Sequence, residues 1–274
     1  MLKTPGWEMM IVWYFFLGGI AGGAYFTAAI ADNFGGARDG RVSRVGYLLS
    51  LPLVGICGAL LVADLGVPLR FLNMMRTFKF WDPMSIGAWA LGVFGLFTLV
   101  SSALSFSSSP EWIARRRKIG LVGILFGFFL ASYTGVLLSA TALPPWSGSR
   151  LMGALFLASG ASTGMAAISL MLFLTGGSAG DGWNRVKRAD RFAMIFELVV
   201  LALFLVLLGS AARPMVSGHL APLFWGGLVL VGLVVPLVLE FSLHRVRAVA
   251  ALSPVLVLVG GFVLRYVMVM SVHA

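Results

Sequence analysis

Residues 115–146 read Arg115-Arg116-Arg117-Lys118, then IGLVGILFGFFLASYTGVLLSATAL, then Pro144-Pro145-Trp146. Four consecutive cations, more than twenty residues without a charge and a Pro-Pro-Trp stop describe one membrane-spanning helix, since an α-helix needs about 20 apolar residues to cross the hydrocarbon layer. Cationic flanks stay on the cytoplasmic side, so this helix runs from inside to outside and its direction orients every other span. Tyr133 lies fifteen residues beyond Lys118, which at 1.5 Å per residue is roughly 22 Å into a layer about 30 Å thick. A tyrosine in the outer half suits an interfacial aromatic belt or a binding site, and its neighbours must decide between them.

The composition agrees with this reading. Over 274 residues, 59% are hydrophobic and 11% charged, whereas about a quarter of a soluble domain is charged. Thirty-four glycines and thirteen methionines suit close helix packing in lipid, where small residues let backbones approach and Met fills uneven gaps. Strand-length alternation is absent, which argues against a β-barrel. The net charge of +10 resides in the short connections between apolar runs, so it reports topology, with contact to anionic lipid as a minor addition, and no nucleic-acid partner is expected. The first apolar run is too long for a signal peptide and lacks an Ala-x-Ala exit, so it reads as a retained helix. One cysteine, Cys57, and three histidines, His219, His244 and His273, are too few for iron–sulfur ligation, and none of the histidines lies mid-span where an intramembrane haem would need it. No metal site, haem or iron–sulfur cluster is therefore expected in this chain.

Eight spans follow, at about 8–32, 43–66, 84–108, 118–142, 151–175, 190–212, 221–242 and 249–272. The odd-numbered connections carry Arg38, Arg41 and Arg44, then Arg115 to Lys118, then Arg185, Lys187, Arg188 and Arg191, then Arg245 and Arg247. That is thirteen of the twenty cations on one side, which places both termini outside, in the periplasm. The second connection, Val67 to Pro83, holds Arg70, Arg76 and Lys79 among Phe71, Leu72, Met74, Met75, Phe78 and Trp81. Such a segment lies on the outer surface as a simple interfacial anchor or as a docking platform for a partner subunit.

Within the spans, Gly18, Gly19, Gly22 and Gly23 form two overlapping Gly-x-x-x-Gly steps on the first helix, a pattern for tight helix contact. Glu8 falls within about 20° of Gly19 at 100° per residue and so faces the bundle. Asp64, Cys57, Ser50 and Gly46 share a face of the second helix, which Pro52 bends. Phe16-Leu17-Gly18-Gly19 resembles Phe156-Leu157-Ala158-Ser159, and Gly127-Phe128-Phe129-Leu130 resembles Gly261-Phe262-Val263-Leu264, at offsets near 137 residues. Helices four apart share an orientation, so the echo suggests a parallel duplication of two four-helix units, residues 1–142 and 151–274.

Ionisable residues in spans are functional candidates by default, and their depths sort them into two levels. Glu8, Asp64, Tyr133, Arg213 and Arg265 fall at the outer level, and His219, in the connection after the sixth span, joins that set. Glu197, Glu240 and Asp32 fall at the inner level as a proton route. For Asp64, Arg213, Glu240 and Asp32, all near span ends, capping and loop contacts compete with chemistry. Two carboxylates, a tyrosine and an arginine at one membrane face suit a polar head group whose tail is held by apolar walls. Quinone chemistry asks for that arrangement, because each two-electron step also moves two protons at the carbonyl oxygens.

Trp7-Glu8 with Tyr14-Phe15-Phe16-Leu17-Gly18-Gly19, Asp64-Leu65-Gly66-Val67-Pro68-Leu69-Arg70-Phe71, Pro83-Met84-Ser85-Ile86-Gly87-Ala88-Trp89, Tyr133-Thr134-Gly135 with Ser139-Ala140, Pro236 with Glu240, and Arg265-Tyr266 occur in this order from first span to last. In that ordered set the chain resembles the NrfD/PsrC family, the membrane subunits of polysulfide reductase, nitrite reductase and related quinone-linked complexes. The resemblance implies an eight-helix, haem-free subunit of two side-by-side four-helix bundles in the cytoplasmic (inner) membrane of a bacterium or archaeon. It implies a menaquinone or ubiquinone hydrogen-bonded by Tyr133 with Glu8 and Asp64 close by. It also implies an outer face docked to a ferredoxin-like iron–sulfur subunit, tied in turn to a catalytic subunit, either a molybdopterin enzyme or a multihaem cytochrome. Some relatives carry Asn or His where this chain has Trp7-Glu8. Two other classes remain open: a proton- or solute-moving subunit using Glu197 and Glu240, and a passive membrane anchor for a peripheral enzyme.

Overall fold

A computed structural model describes residues 9–36, 39–64, 76, 79, 81–141, 146–147, 149–177, 180–242 and 247–272. Among the described residues every regular element is helical, and eight helices are long and apolar enough to cross a membrane. We label them α1 (Met9–Phe34), α2 (Gly40–Asp64), α3 (Pro83–Leu104), α4 (Pro110–Ser139), α5 (Met152–Leu174), α6 (Asp181–Leu208), α7 (Leu223–Ser242) and α8 (Arg247–Met270). Local chemistry sets several boundaries. Asp82 accepts the Met84 N–H at 3.0 Å and Pro83 opens α3, as an N-cap carboxylate followed by proline should. Gly209, at φ 54°, ends α6, and a 3-10 turn (Gly209–Ala212) and a helical turn (Arg213–Val216) lead toward α7. The first twelve residues of α7, Leu223–Val234, are π-helical.

Two helices extend further into the cation-rich end than hydropathy alone places them. α4 begins at Pro110 and α6 at Asp181, so the Arg115 to Lys118 run and the Lys187-Arg188 pair lie within helices and not before them. Hydropathy detects only the stretch that needs lipid, and a helix continues past that stretch wherever its polar turns find partners. Here Arg116 finds Asp32 and Lys187 finds Glu240.

α1 and α5 sit at the centre: 72% and 78% of their most apolar stretches are buried, against 28% for α2 and for α6. α1 lies against α2, α4, α5 and α8, while α5 also lies against α4, α6 and α8. Small residues make the central contact possible. A Cβ on Gly23 would overlap the Gly160 carbonyl, and one on Gly164 would overlap the Gly23 backbone. In lipid, where apolar burial gives no advantage to helix–helix contact, such close backbone approach is a main source of association. The shared face of α2 works against the same partner, since Ser50 donates to the Ala21 carbonyl at 3.0 Å and buried Cys57 lies 3.7 Å from the Tyr14 carbonyl oxygen.

Side-chain contacts identify the two ends. Asp32, Asp39, Arg116 and Arg185 gather at one, where Arg185 bonds Asp39 at 2.8 Å and Arg41 donates to the Thr175 carbonyl at 2.7 Å. At the other, the Trp146 indole N–H donates to the Met268 carbonyl at 2.7 Å and lies 3.2 Å from the Ser271 hydroxyl. Trp146 is fully buried, so this residue packs onto the end of α8 rather than standing at the lipid interface.

Candidate functional site

At the end away from the cation-rich connections, Tyr133 on the last turns of α4 is buried. Its hydroxyl donates to the Pro83 carbonyl at the start of α3. The ring crosses Gly87 so closely that a Cβ there would overlap it, and Phe129, one turn back, stacks on it at 5.5 Å. Asp82, the cap of α3, is the carboxylate whose charge reaches the Tyr133 hydroxyl, and Tyr14 and Cys57 lie on its α1–α2 side. Beside this tyrosine, between α3 and α4, opens an apolar groove of about 600 Å³ lined by Ile86, Trp89, Val93, Leu125, Phe126 and Phe129. A flat apolar ring or an isoprenoid tail suits such walls, with one polar group at the end.

Arg265 lies elsewhere. Its guanidinium is fully buried, donates to the Ser159 hydroxyl and to the Gly261 carbonyl at 2.9 Å, and sits 5.3 Å from the centre of the Phe156 ring. On the same helix as Ser159, Ser162 donates to Glu197 Oε2 at 2.6 Å, and its hydroxyl lies 3.1 Å from the Ser159 carbonyl oxygen. Backbone depth puts Arg265 and Glu197 at opposite levels, yet the two groups approach one another across Ser159 and Ser162 of α5. The physical reason is that helical side chains lean toward the helix N-terminus, so the long arginine reaches back one turn to Gly261 and toward the cation-rich end. Each of these costly intramembrane charges is the countercharge of the other. The Gly19 position is small for the same reason, because a Cβ there would come within 2.8 Å of the guanidinium.

Glu240, near the end of α7, bonds Lys187 at 2.6 Å and Ser253 at 2.7 Å through its Oε1. Lys187 and Glu240 face a polar pocket of about 410 Å³ at the cation-rich end, with Trp183, Asn184, Arg188 and Arg191 around it. Next to them on α6, Asp190 is fully buried and neither carboxylate oxygen has a hydrogen-bond partner among the described residues. Sequence reasoning passes over Asp190 because the cation rule places it at a span boundary. The available signal is its spacing of seven from Glu197, which puts both carboxyls on one helix face.

Asp32 stands in the other half, held by both Nε and Nη2 of Arg116 at 2.7 and 2.8 Å, with Arg117 at 3.6 Å. Asp64 is the exposed last residue of α2, and Arg213 and His219 are exposed between α6 and α7. Arg76 and Lys79 are exposed near the start of α3. Glu8 and Arg70 lie outside the described residues, as does most of the Val67 to Pro83 segment. Of the residues expected around a quinone, the structure thus leaves Tyr133 beside the apolar groove and ties Arg265 to Glu197.

Comparison with known proteins bears on the whole chain. The family described as "Polysulphide reductase, NrfD" matches residues 2–274. The C subunit of polysulfide reductase from Wolinella succinogenes is 29% identical over 296 positions, covering 96% of this chain and 93% of its own. The NrfD homolog of Haemophilus influenzae is 29% identical with 96% and 94% covered, and Protein NrfD of Escherichia coli is 25% identical with 95% and 92% covered.

Proposed function

Because this chain belongs to the NrfD family over residues 2–274, we propose that it is the haem-free, quinone-reactive membrane subunit of a respiratory oxidoreductase complex. In this reading the eight helices form two four-helix halves in the cytoplasmic membrane of a bacterium or archaeon, with both termini outside. The observation that carries the proposal is the buried Tyr133, whose ring stacks on Phe129 in the wall of an apolar groove between α3 and α4. A menaquinone or ubiquinone supplies the two-electron, two-proton carbonyl chemistry when bound there. The chain's own part is to hold the ring against Phe129 and Trp89 and to present Tyr133 to a carbonyl oxygen.

The Tyr133 hydroxyl carries one hydrogen, which is committed to the Pro83 carbonyl, so donating to a ligand requires turning the O–H bond away from that carbonyl. The Pro83 carbonyl that holds this hydroxyl opens α3, so the Val67 to Pro83 segment that leads into α3 is the natural place for a partner to act on the site. We assign Arg70, Arg76 and Lys79 to docking a ferredoxin-like iron–sulfur subunit, which links this chain to a molybdopterin or multihaem catalytic subunit. With one cysteine and three histidines in the whole chain, electrons are exchanged with that partner's cluster. Glu197 and Glu240 belong to a proton route from the cation-rich face, and Asp32, locked by Arg116, holds α1 to α4.

The test is Tyr133→Phe in the purified complex. Loss of one hydrogen bond to the reacting oxygen, about 1.5 kcal/mol, lowers quinone-linked kcat/KM about 10-fold while the subunits still co-purify. Unchanged quinone kinetics would return Tyr133 to the role of a packing residue.

A further inference from the structure

Four buried polar groups that the quinone site does not use line up along α5 and α6. Glu197 meets Ser162 at 2.6 Å. Asp190 lies seven residues earlier on α6 and Ser169 seven residues later on α5. The two helices pack side by side and run in opposite directions, so both steps, roughly 10 Å along each axis, lead toward the cation-rich end and bring Ser169 to the level of Asp190. Asp190 and Ser169 are fully buried, and neither Asp190 oxygen nor the Ser169 hydroxyl has a partner among the described residues. Glu240 Oε2, behind the polar pocket, is a further buried oxygen without a protein partner among them. Buried polar atoms left without protein partners are ordinarily satisfied by ordered water, and among such atoms those of Asp190, Ser169 and Glu240 lie at one end of the α5–α6 pair.

We propose that Asp190 is the relay of a hydrated proton wire that runs from the pocket at Lys187 and Glu240, past Asp190 and Ser169, to Glu197 and its serines. The inference rests on the quinone reading, taken in the direction of quinone reduction, which consumes two protons. The charged groups acting on Asp190 are Lys187 and Glu197 on its own helix and Glu240 on α7. From the other elements, Ser169 on α5 and Ser253 on α8 supply hydroxyls at this end, and Arg265 stands beyond Glu197. A proton enters from water at the pocket and an O–H bond forms on an Asp190 oxygen. That bond then breaks as water carries a proton to the Glu197 carboxylate. Asp190 returns to the carboxylate, Glu197 holds the proton until it gives it up to the proton-coupled reaction, and no electron moves in this part. The Lys187–Glu240 pair at the mouth keeps the entrance polar and hydrated. At the far end, Ser162 holds Glu197 and Ser159, one turn away on α5, holds Arg265, which sets the wire's last carboxyl near a fixed positive charge.

The experiment uses the whole complex in proteoliposomes with a pH dye on the cation-rich side, alongside infrared difference spectra of protonated carboxyls in H2O and D2O. Asp190→Asn is expected to cut proton uptake from that side at least 10-fold, and to remove a carboxyl band that in the wild type exchanges rapidly with D2O. Asp190→Glu, which keeps a titratable group, is expected to restore uptake. Unchanged sided uptake in Asp190→Asn, or a carboxyl band that persists in it, would overturn the relay. Should Asp190→Asn fail to assemble, Ser169→Val decides: slowed D2O exchange of the carboxyl band supports the wire, and unchanged exchange overturns it. A wild-type complex without quinone turnover would overturn the quinone reading alone, and the carboxyl band would still decide the relay.

Discussion

Asp32→Asn is the substitution whose cost can be worked most directly from geometry. Both carboxylate oxygens of Asp32 accept from Arg116, at 2.7 and 2.8 Å, and the two side chains are only 3% and 8% exposed. A pair of unit charges about 4 Å apart interacts by about 4 kcal/mol at an effective dielectric of about 20. Removing one partner from a buried pair costs about 3–5 kcal/mol, because the remaining charge stays buried. Asparagine keeps the shape and one acceptor oxygen but turns an NH2 group toward a guanidinium that can only donate. The expected loss is therefore about 3 kcal/mol, at the lower end of that range. Arg117, 3.6 Å away and 43% exposed, adds little, as solvent-screened pairs do. The assay is reversible unfolding of the purified chain in mixed micelles. Asp32→Leu combined with Arg116→Met should return close to wild type, since an apolar pair of similar volume removes the desolvation cost along with the attraction. That double variant should also keep proton uptake, which separates a structural Asp32 from one on the proton route. A change under about 1 kcal/mol for Asp32→Asn, below what a buried pair should cost, would refute the reasoning.

Gly87→Ala should disturb quinone reactivity without touching a polar group, because the new methyl overlaps the Tyr133 ring and turns the hydroxyl away from Pro83. A quinone KM raised about 10-fold with kcat nearly unchanged is expected for lost uniform binding, and unaltered kinetics would show that the ring's position does not matter. Topology is testable by replacing Cys57 with Ala and placing single cysteines in the second and third connections. An impermeant thiol reagent applied to intact cells should label the second and spare the third, and the reverse pattern would invert the orientation and remove the outer docking face.

The spans are legible in the sequence because transfer of an apolar side chain into lipid is a local property, summed residue by residue along one helix. The same locality identifies the glycine steps of α1, whose spacing of four places them on one face whatever helix they meet. Tyr133 is also within reach, since its depth follows from the rise per residue. The expected outer cluster is less legible, because depth is a backbone coordinate and chemistry happens at side-chain ends. Arg265 spans about a helical turn between its Cα and its guanidinium, so the level read from its position in α8 is not the level at which it bonds Ser159, near Ser162 and Glu197.

Asp190 illustrates a second limit. Next to Lys187, Arg188 and Arg191 in the chain, it reads as one more residue of a charged connection, and only the packing of α6 against its neighbours makes it a buried carboxyl without a partner among the described residues. By itself the sequence determined that this chain crosses a membrane eight times, which ends carry the cations and which helix has the small-residue seam, all of which depend on local hydropathy and helical periodicity. The tertiary structure alone decided that Asp32 belongs to Arg116, that Glu197 belongs to Ser162 and that Asp190 is a buried carboxyl, because each of those facts depends on how different helices pack, and no property of a single helix contains it.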